Sequence, residues 1–290
     1  MVKEQSILAS RTEQRPAGVL KAGGILDRIV DRKAARLAEV MAQSPLEEVM
    51  AQAEPITRPG RSFAESLKRP ESINVIAEVK HRSPSKGIIR ADFDPLAIAL
   101  SYQEAGAAAM SVLCEEDHFG GSLDHLRMIR AATATPLLRK DFIFDEYQLY
   151  EACAAGADVV LLIVAILDDA LLRRLLERAE ALGLEALVEV HTADEMRRAA
   201  SAGAATVGVN NRDLTTFHVD LQTSLDLARL APAGTTLVSE SGIGDGASIR
   251  RLRQAGYSAF LIGETFMRAE NPGGALRQLI REACDESSPS

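Results

Sequence analysis

The stretch Asn74-Val75-Ile76-Ala77-Glu78-Val79-Lys80 runs from apolar residues into an acid and an amine, and a Ser83-Pro84-Ser85-Lys86-Gly87 turn follows. Successive side chains of a strand point to opposite faces, so Glu78 and Lys80 share one face at its C-terminal end. An acid and an amine at the mouth of a buried strand are costly to keep for structure alone. Their chemistry is proton transfer and charge stabilisation. They make half an active site if other strands supply the rest.

The elements that must position them alternate along the chain. Strand-like runs fall at 108–114, 136–140, 158–164, 185–190, 205–210, 235–240 and 258–262, with helical patterns at 95–105, 122–133, 145–155, 168–182, 193–202, 220–230, 246–255 and 273–283. Apolar strands alternating with helices predict a parallel sheet covered by helices. Four helix ends repeat a Gly at 106, 156, 203 and 256, each followed by a strand and spaced by about two βα units. That period predicts an α/β fold, a (β/α)8 TIM barrel with an N-terminal helical extension. A doubly wound open sheet is the alternative, but Lys80-His81-Arg82-Ser83 is nothing like a G-x-G-x-x-G dinucleotide loop. The expected organisation is a polar, loosely held tail over 1–23 and a single barrel over 24–283, with helices in 24–70. A C-terminal tail over 284–290 completes it, and Pro59-Gly60 breaks the N-terminal helices.

Barrel enzymes work at the C-terminal ends of their strands. Those ends read Glu78-Val79-Lys80, Arg139-Lys140-Asp141-Phe142, Glu189-Val190-His191, Asn210-Asn211-Arg212, Glu240-Ser241-Gly242 and Gly263-Glu264. A lone acid or amine there is ordinarily a solvated loop residue, but ion pairing explains only some of two lysines and two glutamates converging on one rim. Alternation sends one of Arg139 and Lys140 outward, and the pattern alone does not choose between them. The glycine turns after strands seven and eight stand where barrels hold phosphate on backbone N–H groups. For Glu264 to take part, its N–H must serve while its carboxylate points away.

The totals narrow the classes. A 290-residue chain with 47% hydrophobic and 26% charged residues is an ordinary globular protein, and its net charge of −8 argues against nucleic-acid or acidic-membrane partners. No apolar run reaches the roughly 18 residues of a membrane span, and the N-terminus lacks the apolar core of a secretory signal. Cys114, Cys153 and Cys284 fit a reducing cytoplasm. The five histidines show no metal-ligand spacing and no G-x-S-x-G elbow is present. Acid–base chemistry on a phosphorylated small molecule, without metal or cofactor, is the expectation.

Ile76-Ala77-Glu78-Val79-Lys80 with Ser83-Pro84-Ser85-Lys86-Gly87 resembles the signature of the indole-3-glycerol phosphate synthase family. So do Phe119-Gly120-Gly121-Ser122, Leu138-Arg139-Lys140-Asp141-Phe142, Glu189-Val190-His191, Val209-Asn210-Asn211-Arg212-Asp213-Leu214, Ser239-Glu240-Ser241-Gly242-Ile243 and Gly263-Glu264, in order and spacing. Even Ile25-Leu26-Asp27-Arg28-Ile29-Val30 is similar to the family's N-terminal helix, whereas Cys114 stands where threonine is usual. The likeness implies closure of the indole ring of 1-(2-carboxyphenylamino)-1-deoxyribulose 5-phosphate, with loss of carbon dioxide and water. It implies Lys140 as main proton donor, its pKa lowered toward neutrality by cations and desolvation, and Lys80 assisting. Glu189 follows as base, with Glu78 orienting Lys80. Ser83, Asn210 and Arg212 would hold the substrate, Phe119 and Phe142 its ring, and Ser241, Gly242, Gly263 and Glu264 its phosphate. Glu240 is a weaker candidate for a substrate contact, and the Ser83-Pro84-Ser85 turn is expected to be a mobile flap. The expected state is a monomer or weak dimer, open to association with other tryptophan-pathway enzymes. A sugar-phosphate isomerase and a non-catalytic metabolite-binding barrel are the competing readings.

Overall fold

Eight parallel strands close on themselves in the computed structural model, which describes residues 15–53 and 62–285. They are β1 (Asn74–Val79), β2 (Ala109–Leu113), β3 (Leu137–Lys140), β4 (Val159–Ile163), β5 (Glu185–Val190), β6 (Thr206–Asn210), β7 (Thr236–Glu240) and β8 (Ala259–Ile262). Sequential neighbours pair throughout, and β1 closes the ring by pairing with both β2 and β8. All six residues of β1 are buried, because one face meets the barrel interior and the other meets helices. The TIM barrel with N-terminal helices is therefore present, and the open sheet is not.

Helices α1 (Gly24–Gln43), α2 (Leu46–Gln52) and α3 (Phe63–Ser66) precede the barrel. In chain order the others are α4 (Pro95–Glu104), α5 (Leu123–Ala132), α6 (Glu146–Ala155), α7 (Asp169–Ala181), α8 (Ala193–Ser201), α9 (Gln222–Ala228), α10 (Gly246–Gln254), α11 (Glu264–Met267) and α12 (Pro272–Cys284). Most loops at the catalytic end finish in a side-chain cap: Asp94, Ser122, Asp145, Asp168, Thr192 and Asp245 each accept a backbone N–H of the helix they open. The loops there are thus fixed at their far ends. The repeated glycines at 106, 156, 203 and 256 all have φ between 85° and 102°, which L side chains rarely adopt.

One feature differs from expectation. Residues 1–14 and 54–61 lie outside the described residues, Pro59-Gly60 among them, as do 286–290. Residues 15–22, by contrast, are fastened. The Arg15 guanidinium bridges Asp27 and Asp31 of α1, Val19 pairs with Leu167 as an isolated antiparallel bridge, and Leu20 donates its N–H to Ile166. A polar segment is held here by main-chain pairing, which residue type does not advertise. The Ser-Pro-Ser stretch, in turn, is the tip of a small hairpin of Arg82–Ser83 with Gly87–Ile88.

Candidate active site

The catalytic end of the barrel opens on a cavity of about 520 Å³. Its walls include every residue expected at the site: Glu78, Lys80, Ser83, Phe119, Lys140, Phe142, Glu189, Asn210, Arg212, Glu240, Ser241, Gly242, Gly263 and Glu264. Leu113, Leu161 and Ile163 supply apolar wall, and Ile25, Leu26 and Ile29 of α1 close it from above.

At the centre stands the Lys140 ammonium, 2.9 Å from Glu189 Oε2 and 2.5 Å from Glu240 Oε2. Lys80 pairs with Glu78 on the same rim. Pleating settles which of the adjacent cations enters the barrel. Arg139 faces the helix layer, fully buried, and donates to Asp141 at 2.9 Å, Glu151 at 3.1 Å and the Gln148 carbonyl at 2.6 Å. Cys114 lies in that outer layer too, its thiol pushed up to about 12 by burial, so its departure from the usual threonine does not reach the cavity wall.

The electrostatics correct one expectation. Burial works against the charge on Lys140, but Glu189 and Glu240, with Glu78 behind them, hold its pKa well above the ordinary lysine value. Three carboxylates face it, so its proton is held more tightly rather than less. Between the two glutamates the environment divides. Burial raises both, yet Lys140 and then His191 pull Glu189 far below the carboxylate range. Burial, together with the charge of Glu189, leaves Glu240 raised to about 7 despite Lys140. Glu240 Oε1 has no hydrogen-bond partner and is pressed toward Gly208, which deepens its desolvation. Glu240 is thus a full member of the central cluster, not a flanking residue.

Room for this cluster comes from glycine. A Cβ on Gly208 of β6 would strike Glu240 Oε1, and one on Gly263 would strike Glu78 Oε1. Gly208 was not singled out by the pattern, since a strand glycine is a signal for close approach only once its neighbour is known. Ser241, a non-glycine, sits at φ 66° and Gly242 at φ 78°, so the chain turns through two left-handed residues at the phosphate-type rim. Asn211 Nδ2 holds that turn by donating to the carbonyls of Glu240 and Ser241 at 3.0 and 3.1 Å. A Cβ on Gly242 would strike Val219.

The Glu264 carboxylate meets Arg212 at 3.5 Å and Arg268 at 3.1 Å. On the opposite side, Phe119 and Phe142 stand with ring centroids 6.2 Å apart. The loop bearing Phe119 is wound around the buried Glu115 carboxylate, which accepts N–H bonds from Asp117, His118 and Phe119. Arg82 donates to the Asp117 carbonyl at 2.6 Å, and Arg36 and Lys33 of α1 bridge to Asp117 and Glu116. The N-terminal helix is thereby pinned over the mouth.

Several similarities bear on this geometry. A family model described as indole-3-glycerol phosphate synthase matches residues 26–279. A protein of that name from Polaromonas sp. is 49% identical over 259 residues, covering 88% of this chain and 98% of its own. One of the same name from Desulfotalea psychrophila is 47% identical over 258 residues, covering 89% and 98%. Among solved structures, 3-hexulose-6-phosphate synthase from Salmonella typhimurium superposes with a TM-score of 0.60 at 12% identity, covering 73% of this chain and 99% of that one. Thiamine phosphate pyrophosphorylase from Pyrococcus furiosus gives 0.55 at 17% identity, covering 76% and 96%. These last two share the fold alone. By the extent and identity of the sequence matches, the chain belongs to the indole-3-glycerol phosphate synthase family.

Proposed function

We propose that this protein converts 1-(2-carboxyphenylamino)-1-deoxyribulose 5-phosphate to indole-3-glycerol phosphate by acid–base chemistry of Lys140, Glu189 and Lys80. The observation that carries this reading is the Lys140 ammonium held between Glu189 and Glu240, with the Lys80–Glu78 pair beside it. An apolar, phenylalanine-lined wall faces a glycine-rich rim across the same cavity, as an aromatic phosphate ester requires.

The ring carbon bearing the carboxylate attacks the ketone carbon, and Lys140 gives its proton to the ketone oxygen. A tightly held proton is no obstacle, because the ketone oxygen becomes strongly basic as the alkoxide forms. Carbon dioxide then leaves and its bonding electrons return to the ring. The hydroxyl departs as water with a second proton, from Lys80, while Glu189 takes one from the neighbouring carbon. Two protons given and one taken leave a net uptake of one, which matches the loss of a carboxylate as carbon dioxide. Glu240 shares Lys140 and sets its direction. Glu78 orients Lys80 and stabilises positive charge developing on the anilino nitrogen. Phe119 and Phe142 bracket the ring, Ser83, Asn210 and Arg212 bind the open sugar, and the backbone at Ser241, Gly242, Gly263 and Glu264 receives the phosphate. Arg212 and Arg268 balance the Glu264 carboxylate beside that site.

The purified protein is expected to generate indole absorbance from this substrate and to leave its isomeric aldose precursor unchanged. Turnover of the precursor instead would favour an isomerase, and turnover of neither a binding barrel.

A further inference from the structure

Behind Glu189, away from the main cavity, His191 stands at the end of β5 with its imidazole between two carboxylates. Nε2 is 3.4 Å from Glu189 Oε1, and Nδ1 is 3.2 Å from Glu195 Oε2. Nε2 is buried and has no aligned hydrogen bond, so the Glu189 carboxylate is the group it serves. The far side is locked by helix capping. Thr192 caps α8 by accepting the Glu195 N–H at 3.2 Å, and Glu195 reaches back to accept the His191 N–H at 2.7 Å. The cap fixes Glu195, Glu195 fixes the ring, and the ring meets the Glu189 oxygen that Lys140 does not hold.

We propose that His191 is a positioning residue for the base Glu189, a second cation that keeps this carboxylate oriented and ionised after Lys140 has given up its proton. The argument rests on the roles of Glu189 and Lys140 stated above. Glu189 lies between two cations, with Lys140 on Oε2 and His191 on Oε1. Ring closure turns Lys140 into a neutral amine just before the base is needed. Without His191, Glu189 would then face Glu240 with no cation in contact, and burial would favour its protonated, inert form.

The surroundings keep His191 charged. Burial opposes the charge, but Glu189 and Glu195 raise its pKa to about 10. From β3 and β7, Lys140 and Glu240 face the carboxylate it serves. From the segment after β6, Asp213 lies close enough to feel its charge, and His218, Asp220 and Arg212 share with it a side cavity of about 390 Å³. Asp213 and Asp220 add to the negative field around the ring. Lys140 holds Glu189 Oε2, and among the described residues no other cation is paired with Glu189 Oε1 in place of His191.

The test uses the full-length protein with His191→Leu and His191→Gln, the latter restoring a neutral donor near Nε2. His191→Leu is expected to lower kcat at least about tenfold with KM little changed. It should also move the acid limb of the kcat profile upward by about one pH unit, the scale of losing one adjacent charge. His191→Gln should recover part of kcat but not the limb, and it carries the test alone should the leucine variant not fold. The ¹³C titration of the Glu189 carboxylate, assigned through Glu189→Gln, reads the same shift without turnover. An unmoved Glu189 titration would overturn the proposal, whether kcat falls or not. Wild-type turnover in Glu189→Gln would instead remove Glu189 as base, while the titration still reports whether the clamp exists.

Discussion

One ammonium facing three carboxylates is an uneven charge balance, and the site is built on that imbalance. Lys140 alone neutralises only part of the charge on Glu189, Glu240 and Glu78, so Lys80 and His191 are recruited to the remainder. Glu240 is the member left least compensated. Its folded pKa of about 7 lies above the ordinary value of 4.5. The stability it contributes is therefore present below 4.5 and lost as pH rises through about 7. Glu240→Gln removes that dependence, so its Tm should gain on wild type between about pH 5 and pH 7 and level off above that, while its turnover falls. A Tm difference that stays constant over this range in calorimetry would show that Glu240 ionises as it does in water. At this scale the sequence was partly readable. Glu78, Lys80 and Glu189 stand out as charges ending apolar strands, but Lys140 and Arg139 are equivalent until the pleat direction is known. The family likeness chose Lys140, and the register agrees, pairing Leu113 with Lys140 across β2 and β3. The sense of its pKa shift was not legible, because it depends on which strands bring their acids to within 3 Å.

Elements carry the positions, and glycine and caps carry the elements. The eight strands and most helices were legible because apolar runs, acidic caps and the Gly-Ala repeat are local signals. The hairpin at Arg82–Ser83 with Gly87–Ile88, and α11 beginning at Glu264, are too short to show periodicity. Gly208 is a long-range feature, since its missing side chain matters only because Glu240 of the next strand occupies the space. The Cβ of Gly208→Ala meets the far end of a side chain, not backbone, so the fold should survive while the carboxylate moves. Displacement of a central group by about 1 Å costs up to roughly 10²-fold in rate. We expect Gly208→Ala to lose about 10- to 10²-fold in kcat with a circular dichroism spectrum like wild type. Undiminished kcat would mean that the Oε1 position of Glu240 is unimportant. Gly242→Ala, at φ 78° and against Val219, is expected to raise KM more than it lowers kcat, as a damaged phosphate rim should.

At the scale of the whole molecule, the N-terminal segment is part of the active end. Helix α1 lays Ile25, Leu26 and Ile29 over the cavity, and Lys33 is buried between Glu116 and Asp141. Residues 15–22 then fasten the start of that helix to the barrel through Arg15 and through Val19 with Leu167. Polar composition suggested an idle tail here; a single arginine and two main-chain bonds make the difference. Deleting residues 1–22 should lower Tm relative to deleting residues 1–14, and raise KM as the helix loosens over the mouth. Equal thermal curves for the two truncations would return 15–22 to the status of a passive extension.

In the proposed reaction Lys140 gives its proton to a ketone oxygen, and turnover of Lys140→Ala beside wild type measures that most directly. With 1-(2-carboxyphenylamino)-1-deoxyribulose 5-phosphate, wild type should produce indole absorbance together with carbon dioxide. The folded Lys140→Ala variant should be slower by at least about 10²-fold, the scale of lost acid–base catalysis. Turnover of the variant at the wild-type rate would contradict the role of Lys140, and absence of indole from wild type would contradict the function itself.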